Sequence, residues 1–373
     1  MANLQLEYSW DEILADPQVA EPLRVGDLVC HGGFDSDGQY RSPRTRFRPQ
    51  AIAAWQENHR NLFGTELLEA PLESWPGNYP NLDQARLLLR EGVRDPIIAA
   101  LTRIGTVEGF GAMIRYLAPE DMQKFFAEDL TGTATAHLGR GLVEAHARDE
   151  AGWEEQAGHN RMWFAVRDIA FENPVTADQT AEMLARMGIG GPPSGGGGGA
   201  GDRVANYLAR RVFDDLDVGL EMLISTMLRV MFIEIKAFHV FAWAEALLSD
   251  DDLVAGEGQA ARIVSYIRAD ETPHVEYLRT SLSEMRDRTF LTDKGSKRPG
   301  AEVIGTLWER AMAESRGPME EQNRTAISSE VARALSSHAK GADLLEEFHS
   351  LGEWRPATDA KGTGSGTGVA SVY

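Results

Sequence analysis

The chain has 373 residues and carries 37 Lys and Arg against 57 Asp and Glu, a net charge of −20. This acidic excess, with no clustered basic residues, excludes a groove that follows nucleic-acid phosphates, so no nucleic-acid partner is expected. With 43% hydrophobic residues, the composition is that of a globular protein. The single cysteine, Cys30, excludes an internal disulfide and a cysteine metal cluster, so nothing requires an oxidising compartment.

No segment is typical of a signal peptide or a membrane span. Residues 1–10 contain Glu7 and lack both a basic stretch and an apolar run. The most apolar segment, residues 220–248, is interrupted by six charged or ionisable residues, which are too many for a membrane span: Glu221, Arg229, Glu234, Lys236, His239 and Glu245. We therefore predict a soluble, cytoplasmic protein with no membrane partner.

The N-terminal quarter of the chain is rich in turn formers. Gly32-Gly33, Ser42-Pro43 and Pro76-Gly77 lie within residues 1–85, and we predict a loop-rich N-terminal arm there. Short helices are expected near residues 10–14 and 49–61.

Four long helical segments are predicted between residues 86 and 290. Helix 1 begins at Asp95-Pro96, a typical helix start, and helix 2 covers about residues 133–171. A further helix near 177–187 leads into a glycine-rich crossover at 188–201, which we predict to be a flexible linker. Helix 3 covers about residues 202–249, with a break near 214–217, and helix 4 covers about 257–285.

The C-terminal part of the chain, residues 291–355, is predicted to add further helices. A charged turn at 293–299 precedes helical patterns near 301–314, 319–336 and 342–351. The tail, residues 356–373, is rich in glycine and threonine and is predicted to be disordered. The fold class predicted from these patterns is all-α.

Three glutamates lie inside otherwise apolar helical stripes: Glu108, Glu234 and Glu271. An unpaired ionised carboxylate in a core costs several kcal/mol, so such a residue usually has a cation, a hydrogen-bond network or a metal beside it. A shared metal would explain all three. Glu271 and His274 are three residues apart, which places a carboxylate and an imidazole one turn apart on one helix face.

The spacing of the acids gives a second indication. Glu108 precedes Glu144 by 36 residues, and Glu234 precedes Glu271 by 37, so each pair fits a helical hairpin with a carboxylate on each arm. At about 1.5 Å per residue, the two members of each pair should lie at similar levels.

With these residues the sequence resembles the ferritin-like di-iron carboxylate superfamily, in which two helices each donate a Glu and two others each donate Glu-x-x-His into a four-helix bundle. The resemblance covers about residues 95–285 and implies metal ligands at Glu108, Glu144, Glu234, Glu271 and His274. It implies two iron ions, or manganese and iron, with O2 as co-substrate. The expected activity is that of an oxidoreductase: hydroxylation, desaturation or N-oxygenation of a small or medium organic substrate.

The partners expected on this basis are the organic substrate and an electron donor protein or other reductant. Long apolar helices commonly bury one flank against a second copy, so the pattern is also compatible with a homodimer.

The second histidine of the motif is not where the resemblance demands it, because Ala147 occupies the position three residues after Glu144. We rank His146 first as the missing ligand, which requires a bulge or tight turn that resets the helix phase. His159 and His137 remain alternatives. Glu155 with His159 forms a rival pair, and Glu150 would bind with His146 if helix 2 were out of phase.

Other interpretations of the same residues remain open. Pro273 would fit a new helix that begins at Asp270 or Thr272, which would make His274 incidental. Glu108 would be a core acid if it paired with Arg103 or Arg115.

Two alternative functions also remain: a ferroxidase or metal-storage protein, and a metal-free helical binding or scaffold protein. The metal-free alternative predicts Glu234 paired with Arg or Lys, whereas the enzyme predicts four carboxylates converging on one centre.

Overall fold

The chain is represented by a computed structural model that describes residues 4–172, 175–186 and 211–352. It is mostly helical, as the sequence predicts, and also contains five short strands in the described ranges. The helices are α1 Trp10–Ile13, α2 Arg48–Phe63, α3 Leu82–Arg90, α4 Asp95–Gly111, α5 Ala134–His137, α6 Leu142–Ala151, α7 His159–Ala170, α8 Ala177–Arg186, α9 Val218–Leu248, α10 Gln259–Arg286, α11 Gly300–Arg316, α12 Pro318–Ser336 and α13 Gly341–Ser350. The strands are β1 Glu21–Val25, β2 Leu28–Phe34, β3 Tyr40–Arg41, β4 Thr289–Leu291 and β5 Lys297–Pro299.

The N-terminal arm contains the two predicted helices, α1 and α2, and a three-stranded antiparallel sheet that the sequence did not predict. The pair Gly32-Gly33 looked like a turn, but it lies inside β2. A side chain at Gly33 would lie 2.4 Å from the carbonyl oxygen of Glu21 on β1, so glycine permits the close approach of the two strands.

Predicted helix 2 is wrong as a single element. It is divided into α5, a 3-10 turn at Leu138–Arg140, α6 and α7. Gly141 and Gly152, both with positive φ, flank α6, and residues 152–158 form a tight connection to α7. The helix phase therefore changes between α6 and α7, which decides which side chains face the interior.

Predicted helices 3 and 4 correspond to the long helices α9 and α10. The side chain of Asp217 accepts a hydrogen bond from the Leu220 backbone N–H and caps α9, close to the predicted break. The α10 helix continues through Pro273, so no new helix begins at Asp270 or Thr272. Residues 202–210, the predicted linker 188–201 and the predicted tail 356–373 lie outside the described residues.

The C-terminal helices α11, α12 and α13 have bounds close to those predicted. The charged turn at 293–299 is part of an antiparallel hairpin, in which β4 pairs with β5. This hairpin was missed because each strand has only three residues.

The long helices pack around a polar centre. α9 packs on α10, α10 packs on α7, and α4 packs on α6 and α7. Apolar side chains form two clusters. The first half of α9 and the second half of α10 belong to one cluster, and the other halves of the two helices belong to the other. Glu271 and His274 lie between the two halves of α10, and Glu234 lies near the end of the first half of α9, so the polar centre lies where the two apolar cores meet.

One described helical stretch, Asp95–Tyr116, is long and apolar enough to cross a membrane by length and composition alone. The core helices of soluble proteins meet the same criterion. Here the stretch packs on α6 and α7 and carries Glu108.

Candidate metal centre

Seven side chains from five helices converge between the two apolar cores. They form two groups that share Glu150, and within each group one ligand atom of every residue lies within 4.8 Å of the others. The first group is Glu108, Glu150, His159 and Glu271, and the second is His146, Glu150, Glu234 and His274. The centre thus combines four carboxylates with three imidazoles.

In the first group, His159 stands at the start of α7 and faces the acids of two other helices. Its Nδ1 lies 2.9 Å from Oε1 of Glu271 and 3.4 Å from Oε1 of Glu150. Glu108 completes the group from α4 and is partly exposed, because it borders a cavity.

In the second group, the imidazoles of His146 and His274 stack with ring centroids 4.0 Å apart. Nε2 of His146 lies 3.4 Å from Oε1 of Glu234, and Nδ1 of His274 lies 3.3 Å from Oε1 of Glu150. Both pairs place an imidazole nitrogen and a carboxylate oxygen toward one point.

Several of these inward atoms are buried without a hydrogen-bond partner among the described residues. They are Nε2 of His146, both carboxylate oxygens of Glu150, and Nδ1 of His159 and Oε1 of Glu271, which lie 2.9 Å apart but are not aligned for a hydrogen bond. Buried polar atoms are almost always hydrogen-bonded, and each exception requires an explanation. A cation at each group would satisfy all of them.

The outer nitrogen of each histidine has a hydrogen-bond partner. Nδ1 of His146 lies 3.2 Å from the Tyr277 hydroxyl. Nε2 of His159 lies 3.3 Å from Oδ2 of Asp270, and Nε2 of His274 lies 2.8 Å from Oδ2 of Asp149. Such outer contacts fix the ring orientation and tautomer of metal-binding histidines.

The N-terminal arm supports two of these outer acids. Arg44 and Arg48 both contact the buried Asp149, with Nη2 of Arg48 2.8 Å from Oδ2. Although burial opposes ionisation, these two guanidinium groups hold the pKa of Asp149 well below its usual value.

Asp270 is supported from the same arm. It accepts a hydrogen bond from the Tyr40 hydroxyl at 3.0 Å, and Nε2 of His31 lies 3.6 Å from the same carboxylate oxygen.

Crowding of charge perturbs the carboxyl groups at the centre. Burial, and then the carboxylates of Glu150 and Glu271, raise the pKa of both Glu108 and Glu234 well above the usual value. Glu271 behaves in the opposite way: burial opposes its ionisation, but His159 and His274 hold its pKa well below the usual value.

Burial and neighbouring charges also shift the pKa values of the three histidines. Burial would lower the pKa of His159 and His274, but neighbouring carboxylates, above all Glu271, raise it well above normal. For His146, burial and the charge of His274 lower the pKa to about 3. Without metal, the raised pKa values favour the protonated forms of His159 and His274, whose charge offsets part of the negative charge of the nearby carboxylates.

A cavity of about 490 Å³ opens beside the carboxylates. Its lining includes Glu108, Glu150 and Glu234 but neither Glu271 nor any of the three histidines, so three of the four acids border the cavity and the imidazoles lie behind them. Aromatic side chains form much of the remaining wall: Trp75, Tyr79, Phe110, Phe232, Phe241 and Trp243.

Five of the six predicted ligands converge at this centre: Glu108, His146, Glu234, Glu271 and His274. The sixth, Glu144, does not. Its carboxylate lies 3.1 Å from Nε of Arg115 and 2.8 Å from Nε of Arg148. Because Glu144 and His146 are two residues apart on α6, they point to different sides, and the phase that brings His146 inward turns Glu144 away.

Glu150 takes the place predicted for Glu144, and His159 joins the centre alongside His146 rather than instead of it. The signal for Glu150 is its i, i+4 spacing from His146, which puts both on one helix face. His137 lies elsewhere, between Thr133 and Tyr8, and Glu155 is exposed. Arg103 pairs with Glu330 and Arg115 with Glu144, so neither neutralises Glu108.

Comparison with known proteins gave no match to a family model, a curated protein or a solved structure. What the protein does is therefore inferred from the arrangement of its own side chains.

Proposed function

We propose that this protein is an oxidoreductase of the ferritin-like di-iron carboxylate type, which uses two iron ions, or manganese and iron, to oxidise an organic substrate with O2. The observation that carries the proposal is the convergence of four carboxylates and three imidazoles on two points that share Glu150.

The chemistry of the side chains fits two divalent cations. Four ionised carboxylates balance two such ions, and the histidines contribute neutral nitrogen ligands. Carboxylate and imidazole ligands without a thiolate favour iron or manganese. Bound metals would also satisfy the inward atoms that lack hydrogen-bond partners.

Two reduced metal ions at this centre would activate O2 for the reaction. Each reaction class considered removes two electrons from the substrate, whereas complete reduction of O2 takes four. The remaining two electrons must come from an external reductant, and protons from solvent complete the formation of water. Hydroxylation and N-oxygenation place one oxygen atom in the product, and desaturation places both in water.

The side chains around the centre have distinct tasks. Asp149, Asp270 and Tyr277 hold the three histidines in orientation through their outer nitrogens. The aromatic wall of the cavity excludes water and positions an organic molecule against Glu108 and Glu234.

Two features favour this proposal over its alternatives. A cavity of about 490 Å³ has room for an organic molecule, which metal storage does not need. Within the described part of the chain, Glu234 lies beside His146 rather than beside a Lys or Arg, contrary to the metal-free alternative.

The test is the metal content of the full-length protein, measured by elemental mass spectrometry after reconstitution with ferrous iron, or with manganese and iron. We expect about two metal ions per chain in the wild type, from the two groups that share Glu150. Glu150→Gln should lose most of the metal, because Glu150 serves both groups, and His274→Ala should lose about one ion, because His274 belongs to the second group alone.

The matched control is Glu144→Gln, which changes the same residue type on the same helix outside the centre and should retain both ions. A wild type that is folded by circular dichroism but binds no metal would overturn the proposal. Equal metal loss in Glu144→Gln and Glu150→Gln would show that Glu150 is not the carboxylate that the two groups share.

A further inference from the structure

The cavity beside the candidate metal centre is lined mainly by apolar side chains from three helices. Ile104 and Val107 come from α4, Ala237 and Val240 come from α9, and Ile327 comes from α12. Burial of apolar ligand surface against such walls is favourable, whereas a charged group placed there loses its hydration. The walls therefore favour the apolar part of a ligand.

Apart from the three carboxylates of the candidate metal centre, four charged side chains of the described residues line the cavity, and each already interacts with the protein. Lys236 forms a close ion pair with Glu320, which is 4% exposed. Nη2 of Arg103 lies 3.5 Å from Oε2 of Glu330, and Arg324 also has interactions within the chain. A charged ligand would have to displace such a partner and leave its charge uncompensated. The lining therefore favours a neutral ligand.

The cavity is elongated along two helices. On α4 its lining residues lie within 100–111, and Glu108 is near the C-terminal end of this stretch. On α9 they lie within 230–243, and Glu234 is near the N-terminal end. At about 1.5 Å per residue, the lining continues beyond these acids for about 12 Å along α4 and about 14 Å along α9.

Both stretches lead from the carboxylates into the same apolar core. Leu101 of α4 and Phe241 of α9 belong to one apolar cluster, so the two helices leave the acids in the same direction. At the inner end of the cavity, Phe241 is fully buried and Trp243 is 6% exposed. Beside the carboxylates, Phe110 and Ile233 border the cavity and are 59% and 42% exposed. The cavity therefore opens near the carboxylates and is closed in the core.

We propose that the substrate is a neutral molecule with an elongated apolar body, which lies between α4 and α9 with its inner end beside Phe241 and Trp243. The outer part of this molecule passes Glu108 and Glu234. The identity of the molecule as a substrate rests on the proposed function, but its binding does not.

Chain length and charge can be varied separately in a binding experiment without turnover. The probes are 1-butanol, 1-hexanol, 1-octanol and 1-decanol, with octanoate and octylammonium as the charged counterparts of 1-octanol. Calorimetry measures their binding to the full-length protein, both metal-free and loaded with ferrous iron in the absence of O2. Octylammonium is compared only in the iron-loaded protein, because carboxylates without metal would attract it.

We expect the affinity of the alcohols to increase about fourfold for each added methylene, the effect of burying one more CH2 group, until the chain fills the cavity. Octanoate and octylammonium should bind about tenfold more weakly than 1-octanol, because the lining offers no uncompensated charge to replace their hydration.

Ala237→Phe tests the position of the chain, because Ala237 lines the cavity one helical turn beyond Glu234. The added ring should weaken binding of 1-decanol about tenfold, the loss of roughly two buried methylenes, and affect 1-butanol less. Ala242→Phe is the matched control, because it makes the same change at an exposed position of the same helix outside the lining. It should change neither ligand. Circular dichroism checks the folding of both variants, and the chain-length series of the wild type depends on neither.

Failure of every alcohol to bind, affinities independent of chain length, or an ion that binds as tightly as 1-octanol would overturn the inference. Equal weakening of 1-decanol in folded Ala237→Phe and Ala242→Phe would do the same. Chain-length-dependent binding by a protein that takes up no metal would overturn the proposed function alone. Two bound metals without chain-length dependence would overturn this inference alone.

Discussion

Gly111 is the last residue of α4 and lies beside the candidate metal centre. A Cβ atom at this position would lie 2.8 Å from Cγ of Glu150 and 3.4 Å from Nε2 of His146. The first distance is shorter than a real Cβ contact, so any larger residue must displace the carboxylate that both groups share. The absence of a side chain at Gly111 is therefore part of the construction of the centre.

We predict that Gly111→Ala weakens metal affinity about tenfold, the lower end of the effect expected when a contact that orients ligands is lost. Iron affinity can be compared by competition with a chelator of known affinity. Gly109→Ala is the control on the same helix, because its new Cβ would lie 3.5 Å from the Asn160 side chain, an ordinary contact. Equal affinities in the two variants would contradict the importance of Gly111.

At the scale of elements, the break between α6 and α7 explains the main difference between the predicted and observed centres. Glu234, Glu271 and His274 lie close together, as their spacing predicts, because α9 and α10 are uninterrupted and sequence spacing translates directly into position. The prediction of Glu144 from its spacing to Glu108 required predicted helix 2 to be equally continuous. Glycines at 141 and 152 end that continuity, and they also change which face of the segment is buried.

Other parts of the centre could not be read from local sequence. Arg44 and Asp149 are 105 residues apart, and their contact depends on the path of the N-terminal arm. The strands of that arm are short and contain glycine, so their alternating pattern is weak. By contrast, α11, α12 and α13 were predicted well, because each combines a helical pattern with clear turn residues at its ends.

The short helix α5 is connected to the N-terminal segment through His137. Nδ1–H of this buried side chain donates to the Thr133 carbonyl at 2.7 Å, and Nε2 accepts from the Tyr8 backbone N–H at 3.1 Å. Both bonds together require the neutral ring. Burial lowers the pKa of His137, so the folded state favours the neutral form more than the unfolded state does.

The contribution of His137 to stability is therefore complete above the unfolded pKa, about 6.5, and is lost as the pH falls below it. We predict that His137→Gln lowers the free energy of unfolding by about 1 kcal/mol at pH 8 and by less at pH 5.5. Urea denaturation at both pH values measures this. For the control His349→Gln, at an exposed histidine, the difference from wild type in the free energy of unfolding should be the same at both pH values. A difference for His137→Gln that does not change between pH 8 and pH 5.5 would refute the prediction.

At the scale of the whole molecule, the proposed metal centre lies where the two apolar cores meet, so its charge balance affects the stability of the entire fold. Four carboxylates held this close repel one another unless protons or cations neutralise them. Cations that bind the folded state and not the unfolded state stabilise it by mass action, by about 4 kcal/mol when free metal is a thousand times its dissociation constant.

We predict that removal of the metal with a chelator lowers the thermal unfolding temperature of the wild type by several degrees, and that ferrous iron restores it. Scanning calorimetry measures the change directly. Glu150→Gln, which lacks the shared carboxylate, should show little response to either treatment. An unchanged unfolding temperature in the wild type would mean that the negative charge of the four carboxylates is neutralised without metal.

The contacts of Arg44 and Arg48 with Asp149 have a practical consequence for protein engineering. It would be natural to shorten this chain to the helices of residues 86–290 for expression, crystallisation or design. Such a fragment would leave Asp149 buried beside His274 without either guanidinium, and it would also lose Tyr40 and His31 from Asp270. Shortened or fused versions should therefore retain the arm, or replace these four side chains by others that reach the same two acids.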